Sequence, residues 1–509
     1  MKKITLKIIS LALAISSVNF SAYAEDKEYN MSVNDSVVTD KALKELYGIN
    51  MEWSTGVHSL TQVIDSQNNV VMRPSFPKEL GNMLSFTRKA GSSSSFFAWK
   101  DAFGPIAQRK NQTMWSVTNK VYEGICEWLE YLYAAVDNPE ICYTVNIFSD
   151  TYENMADLIE FMIGDGTVNY NGGINWAEVR KSYGFENPVN VYCWEIGNEL
   201  DWEDGNLTVE EYITRGKKAI DLIKSMDPDA AISIQAATDS WNRSDYSQNW
   251  NREVLKALGD QTDYLSVHYY YPADFITRAN PAIDKIKNDI LEITGSDRIK
   301  LYLSEHAVAP NSYSYNKENP YDYMLPHTIW GATGLAEWYM RAWLDKSIVI
   351  AANHHINSSV WAICYNDKDG ITHLTPTGEI LKSFVNYGVG DILETKLDNY
   401  DRDTASFVSG GAIKSDNGDI TLFLLNRFDE DNVKYKFDFG ENRYKVKHIR
   451  TVHGDYRDAD RFYREGEQWE YNIKNDITVT DEDVTSSEAL ETYIVAPLTL
   501  TTLTLEKIN

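Results

Sequence analysis

Between residues 43 and 391, short β-rich apolar runs alternate with longer amphipathic stretches, and this alternation constrains the fold more than any other feature of the chain. Two parallel strands cannot be joined by a tight turn; they need a crossover of about a dozen residues or more, usually a helix. The pattern predicts eight strands, at 47–51, 70–74, 141–147, 189–196, 231–236, 264–269, 300–304 and 358–364. Apolar residues recur at helical spacing through 119–135, 154–163, 209–226, 283–293 and 329–345. Eight strands with helices between them predict an α/β fold, a closed (β/α)8 TIM barrel rather than an open sheet.

After Gly390 the texture changes to alternating strands with polar turns, at 420–425, 434–439 and 499–505, punctuated by Asn417-Gly418 and Gly440. This tail, 392–509, predicts a C-terminal antiparallel β-sandwich beside a catalytic barrel at 43–391. Two domains also suit the length of 509 residues, since single cores stop growing at about 250–300. The acid-rich turns 398–403 and 429–432 do not carry the spacing of an EF-hand loop and are read as solvated.

The amino terminus is basic through Lys7, apolar from Ile8 to Val18, and ends in Ala22-Tyr23-Ala24 before Glu25-Asp26. That is the grammar of a secretory signal peptide, 1–24, so the expectation is a secreted protein, extracellular or periplasmic after cleavage. No later stretch reaches the roughly 20 apolar residues of a membrane span. A formal charge of −27 argues against nucleic acid and anionic membranes as partners, because both are held by basic surfaces. A neutral oligo- or polysaccharide is better accommodated, and 32 Tyr with 14 Trp supply the aromatic faces that suit sugar rings. Cys126, Cys142, Cys193 and Cys364 form no CxxC pair and sit in apolar contexts, which reads as buried free thiols without a zinc or redox motif.

Two strand ends carry the chemistry. Val191-Tyr192-Cys193-Trp194-Glu195-Ile196 runs into Gly197-Asn198-Glu199, and Leu301-Tyr302-Leu303-Ser304 runs into Glu305-His306 three strands later. Active sites of such barrels form at the carboxyl ends of the strands, so both glutamates face one mouth. Hydrolysis of a glycosidic bond with retention needs a pair of carboxyl groups about 5–5.5 Å apart, one protonating the leaving oxygen and one attacking the anomeric carbon. Glu199 is the expected acid/base and Glu305 the expected nucleophile. No cofactor and no metal site is expected, since the adjacent His354 and His355 lack a third ligand.

With these residues in place, the chain resembles clan A glycoside hydrolases, and most of all the family 51 α-L-arabinofuranosidases. Tyr47-Gly48-Ile49-Asn50-Met51-Glu52 resembles the family's Gly-x-Phe-x-Glu. Trp99-Lys100-Asp101-Ala102-Phe103-Gly104-Pro105, followed by Arg109, resembles its Trp-x-Asp-x-x-Gly-Pro. His268-Tyr269-Tyr270 and Thr375-Pro376-Thr377 fall where the family has similar words. The resemblance implies that Asn198 donates to the sugar 2-hydroxyl and that Glu52 accepts from sugar hydroxyls. It further implies that Arg73 holds the nucleophile ionised, that His268 and Tyr270 line the same subsite, and that Trp99 lies near the sugar cleft. It places the segment 25–42 in the small sandwich domain, and it leaves oligomerisation open, the family often assembling.

Two departures bear on specificity. Where the family has Arg-x-Pro-Gly-Gly-Asn after strand two, the segment following Arg73 reads Pro74-Ser75-Phe76-Pro77-Lys78-Glu79-Leu80-Gly81-Asn82. Phe and Pro cannot reproduce the backbone angles of a glycine pair. Near strand eight, residues 353–357 replace a segment that usually carries a glutamine. The expected activity is therefore that of a retaining polysaccharide hydrolase, with α-L-arabinofuranosidase as the named expectation. An endo-β-glycanase of the same clan, cutting glucan, xylan or an algal galactan, and a non-catalytic carbohydrate-binding protein are the alternatives.

Overall fold

The structure is a computed structural model and describes residues 27–508, apart from 115, 203–204, 239–243, 274–279, 315, 317–320, 357–359, 399–406, 455–461, 466–467, 472–476 and 486–487. The proposed leader 1–24 and most of the turn 398–403 lie outside the described residues. Eight parallel strands close into a barrel, in chain order Gly48–Glu52, Phe86–Ala90, Glu140–Val145, Val191–Ile196, Ile232–Gln235, Tyr264–Pro272, Lys300–Ala309 and Ile348–Asn353. The eighth returns to the first, with Ala352 paired to Gly48.

Helices pack outside the strands, and their ends are written into the sequence. Thr208 caps Val209–Met226 in a reciprocal box with Glu211, and Thr151 and Ser244 cap Tyr152–Ile163 and Asp245–Leu258. Thr375-Pro376 becomes an N-cap followed by proline at the first helical position of Pro376–Tyr387. Each helix lays an apolar stripe on the barrel, as Tyr212, Ala219, Ile220 and Ile223 do in Val209–Met226.

The barrel interior is layered. Its amino-terminal end is filled by Phe86, Cys142, Cys193, Tyr302, Ile350 and Ala352, an apolar plug. Above it sit Arg88, Glu195, Ser266 and Ser304, all buried and all hydrogen-bonded. Cys142, Cys193 and Cys364 are buried, Cys126 is partly so, and none of the four is in a disulfide.

Two expected strands lie elsewhere. Val70–Met72 pairs with Gln62–Ile64 in a two-stranded hairpin, and the second barrel strand is Phe86–Ala90. Its run Phe86-Thr87-Arg88-Lys89-Ala90 reads as polar, yet Arg88 and Lys89 are both fully buried because each meets a carboxylate. Likewise Cys364–Asn366 pairs with Thr372–Leu374 outside the barrel, and the eighth strand is Ile348–Asn353, directly after a helix that stops at Ala342.

Nine further strands form a mostly antiparallel sheet domain with its own apolar core around Met31, Leu422, Tyr435 and Leu503. Its chain-initial strand, Lys27–Ala42, runs antiparallel to Gly390–Leu397 and parallel to Val433–Asp438. The sheet is bolted to the barrel by ion pairs. Arg427 bonds Glu337 at 2.9 Å and the carbonyl of Ala273 at 2.7 Å, both buried, and Arg450 bonds Glu379 and Ser383 of Pro376–Tyr387.

Candidate active site

Glu199 sits just past strand four, on a turn that needs left-handed backbone at both Gly197 (φ 77°) and Glu199 itself (φ 48°). The turn swings the carboxyl over the barrel mouth, where it is about a quarter exposed. Glu305 lies within strand seven and is 5% exposed. His268, on strand six between them, places Nδ1 2.8 Å from Glu199 Oε1 and 3.4 Å from Glu305 Oε2. One oxygen of each carboxyl and this nitrogen all lie within 4.8 Å of one another.

Glu305 is held from every side. Arg88 Nη1 donates to Oε1 at 2.8 Å and the Tyr270 hydroxyl donates to Oε2 at 2.7 Å, while His354 Nδ1 stands 3.6 Å from Oε2. Burial alone would push its pKa up, but the positive or polar groups His268, His354, Arg88 and Tyr270 outweigh burial and hold it well below the ordinary carboxylate range. His268 is affected in the opposite sense: burial disfavours its charge, and the carboxylates of Glu305 and Glu199 more than compensate, raising its pKa.

The arginine expected to ionise the nucleophile was Arg73, and the structure corrects this. Arg73 spends its guanidinium on the carbonyls of Ser59, Leu60, Gln62 and Gly370, stitching the Gln62–Met72 hairpin to the turn before Thr372. Arg88 takes the place by Glu305. Buried in strand two, it also forks onto Glu195 at 2.7 and 3.1 Å and donates to Asn198 Oδ1 at 2.6 Å. Sequence reading missed Arg88, although the signal was present: Arg88-Lys89-Ala90-Gly91-Ser92-Ser93 keeps the arginine and the first glycine of Arg-x-Pro-Gly-Gly-Asn at the right spacing. The expected loss of both glycines is corrected accordingly. Phe76 and Pro77 belong to the short helix Ser75–Leu80, where both are buried and Phe76 packs against Tyr131.

Gly91 is needed as glycine. Its φ is 84°, and a Cβ there would stand 2.1 Å from the Glu52 carboxyl carbon. Glu52, ending strand one, therefore lies flat over Gly91 and enters the site, with Oε1 3.8 Å from His355 Nε2. Burial, together with the nearby charge of Glu305, pushes its pKa up to about 8. Asn198 offers what a sugar hydroxyl requires: Arg88 fixes its Oδ1, and its buried Nδ2 has no hydrogen-bond partner among the described residues. Ser92, standing at the second glycine position, brings Oγ to 3.4 Å from Glu199 Oε2.

Trp99 is not in the cleft. It is 1% exposed, packs against Trp176 at 4.7 Å and donates Nε1 to the carbonyl of Asn154, on the helix side of the barrel. Two triads, Glu52 with Glu305 and His354, and Glu199 with His268 and Glu305, reach metal-ligand spacing. Both share Glu305, whose two oxygens are already engaged by Arg88 and Tyr270. The arrangement is one ionised buried carboxylate facing a more exposed carboxyl across a histidine, with Asn198 and Glu52 beside them.

Residues 87–288 match the family model described as an alpha-L-arabinofuranosidase 1 domain. An intracellular exo-α-(1→5)-L-arabinofuranosidase of Halalkalibacterium halodurans is 29% identical over 185 residues, 36% of this chain and 35% of that protein. The match thus spans about a third of the relative's length. An exo-α-(1→6)-L-arabinofuranosidase of Bifidobacterium longum is 21% identical over 393 residues, 69% of this chain and 72% of that one. Among solved structures, the α-L-arabinofuranosidase of Thermotoga maritima in complex with arabinose superposes with a TM-score of 0.75 at 20% identity, covering 94% of this chain and 100% of that chain.

Proposed function

We propose that this chain, a clan A, family 51 arabinofuranosidase-like protein, is a retaining glycoside hydrolase that removes α-L-arabinofuranosyl residues from polysaccharide. The observation that carries the reading is the carboxyl pair at one mouth: His268 Nδ1 lies 2.8 Å from Glu199 Oε1 and 3.4 Å from Glu305 Oε2, and an oxygen of one carboxyl lies within 4.8 Å of an oxygen of the other, so both can reach one glycosidic bond. Glu305, held ionised, attacks the anomeric carbon as Glu199 delivers its proton to the departing oxygen. Glu199 then takes a proton from water, which attacks the same carbon and frees Glu305. Asn198 Nδ2 hydrogen-bonds the sugar 2-hydroxyl, and Glu52 meets a further hydroxyl. A time course with nitrophenyl α-L-arabinofuranoside, followed by proton NMR, tests this: the first-formed sugar should be the α anomer, and a β product would overturn the retaining assignment.

A second reading, an endo-acting glycanase of the same clan, is favoured by large exposed aromatics on the loops at the mouth, Trp202 at 53% and Tyr313 at 61%. Intact arabinan, arabinoxylan, glucans and algal galactans separate the two, because terminal release yields monosaccharide from the start and internal cleavage yields a ladder. For location, we propose export directed by 1–24, although several similar proteins are described as intracellular. Amino-terminal sequencing of the protein recovered from medium or periplasm should begin near Glu25.

A further inference from the structure

The aromatic contacts of the site do not end at the nucleophile. Tyr270, whose hydroxyl binds Glu305, packs its ring on Trp361 at 4.9 Å, and Trp361 in turn meets Tyr313 edge-on at 5.9 Å. Trp361 is also packed against His354 at 5.0 Å and pinned by its Nε1 to the carbonyl of Val308, so its plane is fixed by strand seven and by the residue beside Glu305. Tyr313, by contrast, is 61% exposed. A row of three rings therefore runs from a reacting carboxylate out to solvent, rigid at its inner end and open at its outer end.

We propose that Trp361 and Tyr313 form a second sugar-binding subsite, which stacks the ring of the glycan next to the one being cleaved. This rests on the reading of the site as a glycosidase. Three properties favour a neutral sugar ring as the occupant. An aromatic face held over a catalytic cleft takes the apolar face of a sugar, with its hydroxyls left at the wet edge. The chain's charge of −27 disfavours anionic ligands. The row is continuous with Tyr270, so a ring stacked there is covalently within reach of the ring at Glu305. The subsite makes the enzyme selective for chains over isolated terminal sugars.

The test uses the full chain carrying Glu305→Gln, which removes turnover, and reads binding by tryptophan fluorescence and calorimetry. An α-1,5-linked arabino-oligosaccharide should bind more tightly than L-arabinose. Adding Tyr313→Ala should weaken the oligosaccharide by about five- to tenfold, the size of one aromatic contact, and weaken the monosaccharide by much less. Tyr313→Phe should restore the loss, since stacking needs the ring and not the hydroxyl. Equal losses for both ligands, or no loss for the oligosaccharide, would overturn the subsite. If only a xylo-, gluco- or agaro-oligosaccharide binds, and does so in a Tyr313-dependent way, the subsite stands while the arabinose assignment falls. If none of these glycans binds, both fall.

Discussion

At the scale of single residues, the site is a problem in charge placement. Under the proposed function Glu305 is the attacking carboxylate, and His268, His354, Arg88 and Tyr270 hold it ionised before substrate arrives, the last two by hydrogen bonds to its two oxygens. Glu305→Gln should abolish turnover of aryl arabinofuranosides and lower the melting temperature at neutral pH, because a carboxylate whose pKa is held down contributes stability and its loss takes one partner from Arg88 and His268. Unchanged hydrolysis would identify a different nucleophile. Glu199→Ala should cut kcat about 10²- to 10⁴-fold on substrates with poor leaving groups, and less on nitrophenyl glycosides, whose departure needs little protonation. Azide, filling the space left by the carboxyl and needing no base, should then speed turnover and yield an arabinosyl azide.

Glu52 provides a pH reading with a defined sign. Its folded pKa of about 8 lies above the ordinary 4.5, so the folded state holds a proton that the unfolded state has lost between those values. Stability from this group is fully present below about 4.5 and is lost as pH rises toward 8. Glu52→Gln should therefore flatten the fall in melting temperature between pH 5 and 8, measured by scanning calorimetry in a pH series; an unaltered slope would place that titration elsewhere.

At the scale of elements, the informative cases are the strand that was legible and the one that was not. Val191–Ile196 announces itself by an apolar run ending in Gly-Asn-Glu, whereas Phe86–Ala90 hides behind Arg88 and Lys89. A window of sequence reads charge as surface. It cannot see that Glu195 and Glu305 arrive from strands four and seven, or that Glu123 arrives from the loop before the helix Ile125–Ala135. The same limit makes Arg73, in the more apolar run 70–74, look like the ionising arginine in place of Arg88. His268, Tyr270, Asn198 and Glu52 were legible because their strands are apolar enough to be found, and strand ends project to the mouth. His354 was not, since the sequence pattern places the eighth strand at 358–364, beyond the run Ile348–Asn353 that leads into His354.

The turn after strand two can be tested as a unit. Gly91→Ala adds a methyl group where the Glu52 carboxyl lies and forces a residue other than glycine to φ 84°. The expectation is a loss of about 1–2 kcal/mol in stability from the backbone alone, and a disproportionate rise in KM as Glu52 is displaced. Denaturant melts alongside kinetics separate the two effects. A proportionate loss would make Gly91 purely structural.

At the scale of the whole molecule, the sheet domain is part of the barrel's architecture. Arg427 reaches out of the sheet to Glu337 on a covering helix and to the carbonyl of Ala273, the residue after strand six, which carries His268 and Tyr270. Glu337 keeps Arg341 on its Oε1 when Arg427 is removed, so Arg427→Met takes a donor from one buried carboxylate oxygen and from the Ala273 carbonyl and should cost about 1–3 kcal/mol. Calorimetry of the intact chain should show one transition, shifted down. Two separated transitions in the variant would mean that this contact is what makes the domains unfold together.

Arg88 has one more consequence. It gathers strands two, four and seven around a single guanidinium below the mouth, so one part of what holds Glu305 ionised is built into the barrel frame. A change confined to the outer loops would leave this guanidinium and its three partners in place, so the rim and the frame answer to different substitutions.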